Sequence, residues 1–148
     1  RDRAREGGHS VEVDTLGLFV REATIAEGKA TFGPRVIVVN EIVVLELDWD
    51  AGLCTAGGLM HGGAVMALAD SAGGGCAFLN LPDGAVGTST IESKTNFIGA
   101  ATAGDVIATS TPLHAGGSTI VIETTLRCDD RLIGKTTQTQ SVLRPRTS

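Results

Sequence analysis

Aromatic residues are scarce in this chain. They make up 3% of its 148 residues, with Trp49 as the sole tryptophan and no tyrosine. Proteins that bind single-stranded nucleic acids stack the bases on such rings and hold the phosphates with a basic surface. This chain has 12 Lys and Arg residues against 17 Asp and Glu residues, a net charge of −5. The shortage of aromatic rings and the excess of negative charge both argue against nucleic acid as a partner.

Cysteine is also scarce. Cys54, Cys76 and Cys128 are odd in number and form no C-x-x-C pair, so we predict no disulfide framework and no tetrahedral zinc site. His9 and His114 have no partner at a ligand spacing, and no G-x-G-x-x-G occurs at a strand-to-helix turn, so we expect no metal and no cofactor. No apolar run reaches the roughly 18 to 20 residues of a membrane span, and the charged first ten residues lack the core of a signal peptide. We therefore expect a cytoplasmic protein without a membrane partner.

Glycine, with 20 residues, is the abundant exception in an otherwise ordinary composition. Hydrophobic residues make up 42% and charged residues 20% of the chain, which is typical of a folded globular domain. The charged, glycine-containing start indicates a flexible segment over residues 1–15. The remainder, residues 16–148, is predicted to form a single domain.

Strand-like runs lie on both sides of one helical stretch. Between Met60 and Leu79 the β-branched residues nearly vanish, and apolar residues occur almost all round, as in a helix surrounded by protein. Apolar and β-branched runs flank it at residues 16–20, 35–39, 42–47, 86–97, 106–111, 118–127 and 132–143. The pattern predicts an α+β domain in which a curved antiparallel sheet wraps around one long central helix.

The start of this helix carries the features of a catalytic site. The pair Gly62-Gly63 lets a ligand approach the unpaired backbone N–H groups, where the helix dipole favours negative charge. Such donors can form an oxyanion hole. Asp70 follows with no Lys or Arg within ten residues, and burying an unpaired carboxylate costs several kcal/mol. A functional carboxylate explains that cost, although an exposed stripe of a surface helix would avoid it.

The run His61-Gly62-Gly63, followed by Ala67-Leu68-Ala69-Asp70, resembles the signature of hot-dog-fold acyl-CoA thioesterases. The resemblance is to the phenylacetyl-CoA thioesterase-like and 4-hydroxybenzoyl-CoA thioesterase group, and it extends over residues 41–145. It implies the hot-dog fold, assembly into homodimers or homotetramers, and hydrolysis of an acyl-CoA thioester to a free acid and CoA. The Asp70 and the Gly62 that serve one substrate can then come from different subunits.

The resemblance also implies roles for individual residues. Asp70 acts as nucleophile or as general base for water, and the N–H of Gly62 or Gly63 polarises the thioester carbonyl. His61 supports the loop or meets the departing thiolate. Thr55 stands where the family usually has Asn or Gln, and its hydroxyl can hold the water or the carbonyl through a bridging water.

Substrate-binding residues are expected among hydroxyl, amide and basic side chains. The family's Asn-Phe-Leu-Arg-Pro run is Asn96-Phe97-Ile98-Gly99-Ala100 here, so an Arg that contacts CoA phosphate is missing. We expect other groups to bind the phosphates, since Arg and hydroxyl donors suit them. The expected substrate-binding residues are Ser89, Thr90, Asn96, Ser118, Thr119, Arg144 and Arg146.

Two other functions fit parts of the pattern. A non-catalytic acyl-CoA-binding hot-dog protein is an alternative, because the family residues are replaced at Thr55, Gly74 and Gly99. A hot-dog enoyl-CoA hydratase or dehydratase is less favoured. It requires a His paired with an acid, whereas His61 is followed by two glycines in the thioesterase-like form.

Overall fold

The computed structural model describes residues 9–11, 23–26, 29–32, 36–39 and 42–146. Residues 1–8 and 12–15 of the expected flexible segment and the expected strand at 16–20 lie outside this part of the chain, while the three remaining residues of the segment form a short strand. The elements in chain order are β1 (His9–Val11), β2 (Ala23–Ala26), β3 (Lys29–Phe32), β4 (Val36–Val39), β5 (Ile42–Leu47), α1 (Gly62–Leu79), β6 (Gly87–Phe97), β7 (Val106–Ala115), β8 (Thr119–Cys128) and β9 (Arg131–Leu143).

The strands form one antiparallel sheet in the order β1-β2-β3-β4-β5-β7-β8-β9-β6. Helix α1 packs against five of them, β5, β7, β8, β9 and β6. The four strands predicted after the helix are present, with bounds close to the predicted ones. The predicted α+β hot-dog fold, a curved sheet around one helix, is confirmed.

Strand β8 shows how the sequence fixes the inner face of the sheet. Successive side chains of a strand point to opposite faces. Ile120, Ile122, Thr124 and Leu126 are accordingly all fully buried. They face the buried side of α1, which presents Val65, Leu68, Ala69, Ala72, Gly73, Gly75, Cys76 and Ala77. The small residues of that side let the helix lie close to the sheet.

The β8–β9 hairpin is closed by Asp129 and Asp130. Both have positive φ angles, 48° and 59°, and Cys128 pairs with Arg131 on either side of them. A two-residue loop with two positive φ angles matches the right-handed twist of its strands. Asp tolerates this backbone conformation better than most residues.

The prediction that protein surrounds α1 on all sides is wrong for the single chain. Met66, Asp70 and Phe78 are exposed, because the sheet covers only one side of the helix. By length and composition α1 could also cross a membrane. The core helix of a soluble protein meets the same criterion, and the packing of α1 against five strands is that of a core helix.

Candidate active site

A short loop immediately precedes the start of α1. The Thr55 N–H donates to the Leu59 carbonyl at 2.7 Å, and the Gly58 N–H donates to the Thr55 carbonyl at 2.9 Å. Gly58 has a φ of 74°, a conformation that glycine adopts without strain. Further along the loop, the Met60 N–H donates to the Ala101 carbonyl and the His61 N–H to the Leu53 carbonyl, each at 2.8 Å. These bonds fix the position of the helix start.

The first turn of α1 presents one free N–H group. His61 is the N-cap, and its Nδ1 accepts a hydrogen bond from the Gly63 N–H at 2.9 Å. The Ala64 N–H donates to the His61 carbonyl at 2.9 Å. The Gly62 N–H has no partner among the residues that the structure describes. Of the two glycines predicted to form the oxyanion hole, Gly62 is therefore the one whose donor is available.

The cap also determines which tautomer the neutral His61 ring adopts. Because Nδ1 accepts a hydrogen bond, the neutral ring carries its proton on Nε2. The side chain is exposed. The ring is hydrogen-bonded to the backbone of the turn that it caps.

Asp70 lies on the exposed side of α1, two helical turns beyond the cap. The interpretation of Asp70 as a buried carboxylate is wrong for the single chain, which fits the alternative of an exposed stripe. The side chain is exposed in the single chain, and its Oδ1 accepts a hydrogen bond from Nε2 of Gln138 at 2.5 Å. No Lys or Arg of residues 42–146 forms an ion pair with it. Its hydrogen-bond partner within residues 42–146 is thus an uncharged amide.

Gln138 belongs to a row of polar side chains on the inner face of β9. Thr136, Gln138 and Gln140 are all buried, and the Gln140 amide donates to Thr90 Oγ1 of β6 at 2.8 Å. The amide of Gln138 lies 3.4 Å from the same hydroxyl. Its Oε1 atom is buried without a partner in this part of the chain, which costs about 1 to 3 kcal/mol.

The Gln138 side chain occupies space that a glycine leaves open. A Cβ atom added at Gly73 would lie 1.9 Å from Gln138 Oε1 and 3.1 Å from its Cδ. Heavy atoms do not approach so closely, so any larger residue at this position would displace the amide. The glycine run of the helix thus makes room for the side chain that contacts Asp70.

Phe97, at the end of β6, covers the other end of the site. A Cβ atom added at Gly62 would lie 3.3 Å from Cζ of the Phe97 ring. Half of the Phe97 side chain is exposed. The Phe97 ring therefore lies beside Gly62 at the start of α1.

Gly62 and Asp70 of one chain are too far apart to act on one carbonyl group. They are eight residues apart on α1, and a helix rises 1.5 Å per residue, so about 12 Å of helix axis separates them. A group that attacks a carbonyl carbon must lie about 3 to 3.5 Å from it. An active site that uses both groups must take them from two chains.

A bulge in β6 determines which of its residues reach the site. Thr90 pairs with Gln140 and Glu92 with Thr139, so Ile91 is the extra residue. Paired residues share a face of the sheet. Thr90 therefore lies on the helix side. Ser89, which pairs with Ser141, lies on the opposite face.

Three of the remaining predicted residues lie in three separate places. Asn96 pairs with Lys135 on the outer face of β6 and β9, so the structure does not bring it to Asp70. Thr55 is exposed in the loop before the helix, and its hydroxyl has no hydrogen bond within residues 42–146. Arg146 is exposed near the end of the described chain, with no partner among residues 42–146.

Arg144 holds two turns together at the far end of β9. Its guanidinium donates to the Asp83 carbonyl at 2.7 Å and to the Gly117 carbonyl at 3.2 Å. Ser118 and Thr119 adjoin this contact, and the Ser118 carbonyl accepts from the Val142 N–H at 2.9 Å. Three of the residues expected to bind phosphate are thus brought together, but the charge of Arg144 is directed at backbone carbonyls.

The sequence reasoning missed Gln138 and Phe97. A signal for Gln138 was present, because Thr136, Gln138 and Gln140 alternate with exposed or half-buried residues along a predicted strand. Polar side chains on the buried face of a strand are unusual. Phe97 gives no comparable signal, since its contact with Gly62 depends on how β6 crosses the helix start.

A cluster of three acidic side chains lies away from this site. The carboxylate oxygens of Glu46, Asp48 and Asp105 lie within 4.8 Å of one another. Asp105 also accepts a hydrogen bond from the Trp49 N–H at 3.0 Å. Exposed acidic groups of this kind are common without an ion.

The chain matches a known family over the helix and its start. Residues 57–135 match the family model of the thioesterase superfamily. This segment includes most of the loop, the whole helix and strands β6, β7 and β8. The chain therefore belongs to the thioesterase superfamily. No match was found among curated proteins.

Solved structures of the same fold include a conserved protein of Pseudomonas aeruginosa, with 30% identity over 70% of this chain and 82% of its own and a TM-score of 0.63. A thioesterase family protein of Silicibacter pomeroyi has 27% identity over 75% of this chain and 85% of its own, with a TM-score of 0.68. A Bacillus halodurans protein whose structure was determined with CoA has 25% identity over 70% of this chain and 69% of its own, with a TM-score of 0.64.

Proposed function

We propose that the protein is an acyl-CoA thioesterase, which hydrolyses a thioester to a free acid and CoA. The free Gly62 N–H at the start of α1 carries the proposal. Together with the positive end of the helix dipole, it can bind the oxygen on which negative charge develops in acyl transfer. The match to the thioesterase superfamily supports this reaction class. The CoA bound to a structural neighbour supports the substrate class.

In the proposed reaction the thioester carbonyl oxygen accepts a hydrogen bond from the Gly62 N–H. Asp70 then acts in one of two ways. As a general base it removes a proton from water, and the water oxygen attacks the carbonyl carbon. As a nucleophile it forms an acyl anhydride that water cleaves. In both routes the carbon–sulfur bond breaks, the CoA thiolate leaves, and no cofactor or metal takes part.

We propose a homodimer as the smallest active unit. One reason is the separation of about 12 Å between Gly62 and Asp70 along one helix, which leaves the catalytic groups of a single chain incomplete. The uncovered side of α1 is a second reason, because Met66 and Phe78 are exposed there. The two helices of such a dimer would cover each other's apolar residues. A homotetramer can form from two such dimers.

The edge of the sheet supports the same assembly. Strand β6 ends the strand order, and its backbone can pair with another strand. Its extra residue Ile91 is 64% exposed, and Val86 and Ile98 at its two ends are 61% and 62% exposed. An edge strand with exposed apolar residues suits pairing with a second copy of the same strand.

The proposal is tested with a panel of aryl and aliphatic acyl-CoAs, on which released CoA is measured. We expect hydrolysis by the parent protein and a loss in turnover on the order of 100-fold or more in Asp70→Asn, which keeps the shape of the side chain but removes the base or nucleophile. Binding of acyl-CoA without turnover of any substrate would favour a non-catalytic acyl-CoA-binding protein.

A further inference from the structure

We propose that Gln138 is a positioning residue for Asp70: its amide donates a hydrogen bond that sets the direction of the carboxylate, from space that Gly73 leaves open. This inference rests on the proposed function of Asp70. Gln138 lies beyond the residues that match the superfamily model, which end at residue 135. The assignment comes from the contacts of this chain alone.

The contact with Asp70 joins the exposed side of α1 to the buried face of the sheet. The Gln138 side chain is fully buried, so neighbouring atoms restrict its rotation. The Asp70 carboxylate is exposed and would otherwise be free to rotate towards solvent. Its only hydrogen-bond partner among the described residues is Gln138 Nε2, at 2.5 Å. A restricted donor therefore orients a mobile acceptor.

The contact with Asp70 decides the orientation of the amide. Nε2 lies between two acceptors, Asp70 Oδ1 and Thr90 Oγ1. Turning the amide over would bring Oε1 against the carboxylate, where two acceptors would face each other. In the observed orientation Oε1 points at Gly73 and has no partner in the described part of the chain. The amide thus keeps its donor on Asp70 although its acceptor is left unsatisfied.

A purely structural role does not account for a glutamine here. An apolar side chain of similar size would fill the same space without leaving a buried acceptor unpaired. Gln140, two residues further along β9, is also buried, but its amide contacts Thr90 and not Asp70. The chain therefore supplies a matched control with the same residue type, strand, face and burial.

The test compares Gln138→Leu with Gln140→Leu by steady-state kinetics on an acyl-CoA that the parent hydrolyses. We expect Gln138→Leu to lower kcat on the order of tenfold or more, because a displaced carboxylate attacks poorly, with KM within about twofold of the parent. Its melting temperature should equal or exceed that of the parent, since the unpaired acceptor is removed. We expect Gln140→Leu to keep kcat within about twofold of the parent, because Asp70 retains its donor.

A second variant tests the role of Gly73. Gly73→Ala places a Cβ atom where Gln138 Oε1 lies, so it should also lower kcat with little change in KM. In the Gln138→Leu background Gly73→Ala should lower kcat by less than it does alone, because the amide that it displaces is absent.

Measuring Asp70→Asn in the same assay distinguishes a failure of the positioning role of Gln138 from a failure of the catalytic role of Asp70. If Asp70→Asn is inactive but Gln138→Leu retains the kcat of Gln140→Leu, the positioning role is wrong and the proposed function stands. Equal losses of kcat and melting temperature in both glutamine variants would likewise overturn it. If Asp70→Asn retains full activity, the catalytic role of Asp70 fails and the inference about Gln138 fails with it.

Discussion

Nδ1 of His61 accepts a hydrogen bond from the Gly63 N–H at 2.9 Å. This bond uses the donor of Gly63 and leaves that of Gly62 available at the positive end of α1. A side chain that caps a helix ordinarily contributes about 0.5 to 2 kcal/mol to stability. Here the cap also determines which of two neighbouring N–H groups is left without a partner in the described part of the chain.

The N–H of Gly62 can be removed without disturbing the helix. Proline lacks an N–H and is well tolerated at the first helical position, and His61 already has the extended conformation (φ −63°, ψ 130°) that a residue before proline requires. Loss of one oxyanion donor lowers kcat by about 100- to 1000-fold. We expect a loss of that size in Gly62→Pro, measured as turnover of an acyl-CoA.

Gly62→Ala is the matched control, because it adds a Cβ atom and keeps the N–H. That atom would lie 3.3 Å from the Phe97 ring, which must shift by a few tenths of an ångström. We expect a smaller loss than in Gly62→Pro. Equal losses in the two variants would mean that the space next to Phe97 matters and the N–H does not.

Thr55 tests the loop that precedes the helix. Its hydroxyl is exposed and has no hydrogen bond within residues 42–146, so Thr55→Val should change the melting temperature little. If the hydroxyl holds water or substrate, its removal costs about 1 to 3 kcal/mol in the transition state, a loss of about 5- to 150-fold in turnover. Thr55→Asn should keep or raise the rate. A neutral Val variant together with a harmful Asn variant would make Thr55 a packing residue.

The edge strand tests the proposed assembly. Ile91→Lys places a charge on the exposed edge of β6, which opposes pairing between strands. We expect light scattering to show a shift from dimer or tetramer towards monomer, with loss of turnover. Leu113→Lys is the control, because Leu113 is 59% exposed but lies on β7, an interior strand of the sheet. If a monomer of either variant or of the parent were fully active, the active site would not be shared between two subunits.

The three cysteines should react with a thiol reagent at different rates. Cys54 is half-buried, whereas Cys76 and Cys128 are buried. Burial, and then the negative charge of Asp129, raise the pKa of the Cys128 thiol, and only the thiolate reacts. Mass spectrometry of the native protein at pH 8 should therefore show labelling of Cys54 first.

Because the folded state holds the Cys128 proton more tightly, its contribution to stability is present below the pKa of the unfolded thiol and is lost as pH rises through the folded pKa.

Local patterns were sufficient to predict the helix, the strands from residue 42 onward and the order of the elements. The α1 stretch lacks β-branched residues, and β8 alternates buried and partly exposed positions, so each element could be predicted from its own residues. The choice between Gly62 and Gly63 could not be predicted in this way. It depends on the rotation of the His61 ring, which brings Nδ1 onto one particular N–H.

The surroundings of Asp70 were also beyond the sequence. Its partner Gln138 is 68 residues away along the chain, and the two side chains come into contact only because β9 packs against α1. The sequence suggested burial because apolar residues occur all round the helix. That pattern is equally suited to a helix with one side on its own sheet and the other on a second copy, which is the assembly proposed here.

Subunit mixing tests the central claim, that each site takes Gly62 from one chain and Asp70 from the other. Asp70→Asn and Gly62→Pro should each be inactive alone. After the two variants exchange subunits, half of randomly formed dimers are mixed, and each mixed dimer has one intact site of two, so about a quarter of the parent activity should return. Two active-site groups within one chain would leave every mixed dimer inactive, and no recovery of activity after verified exchange would contradict the account.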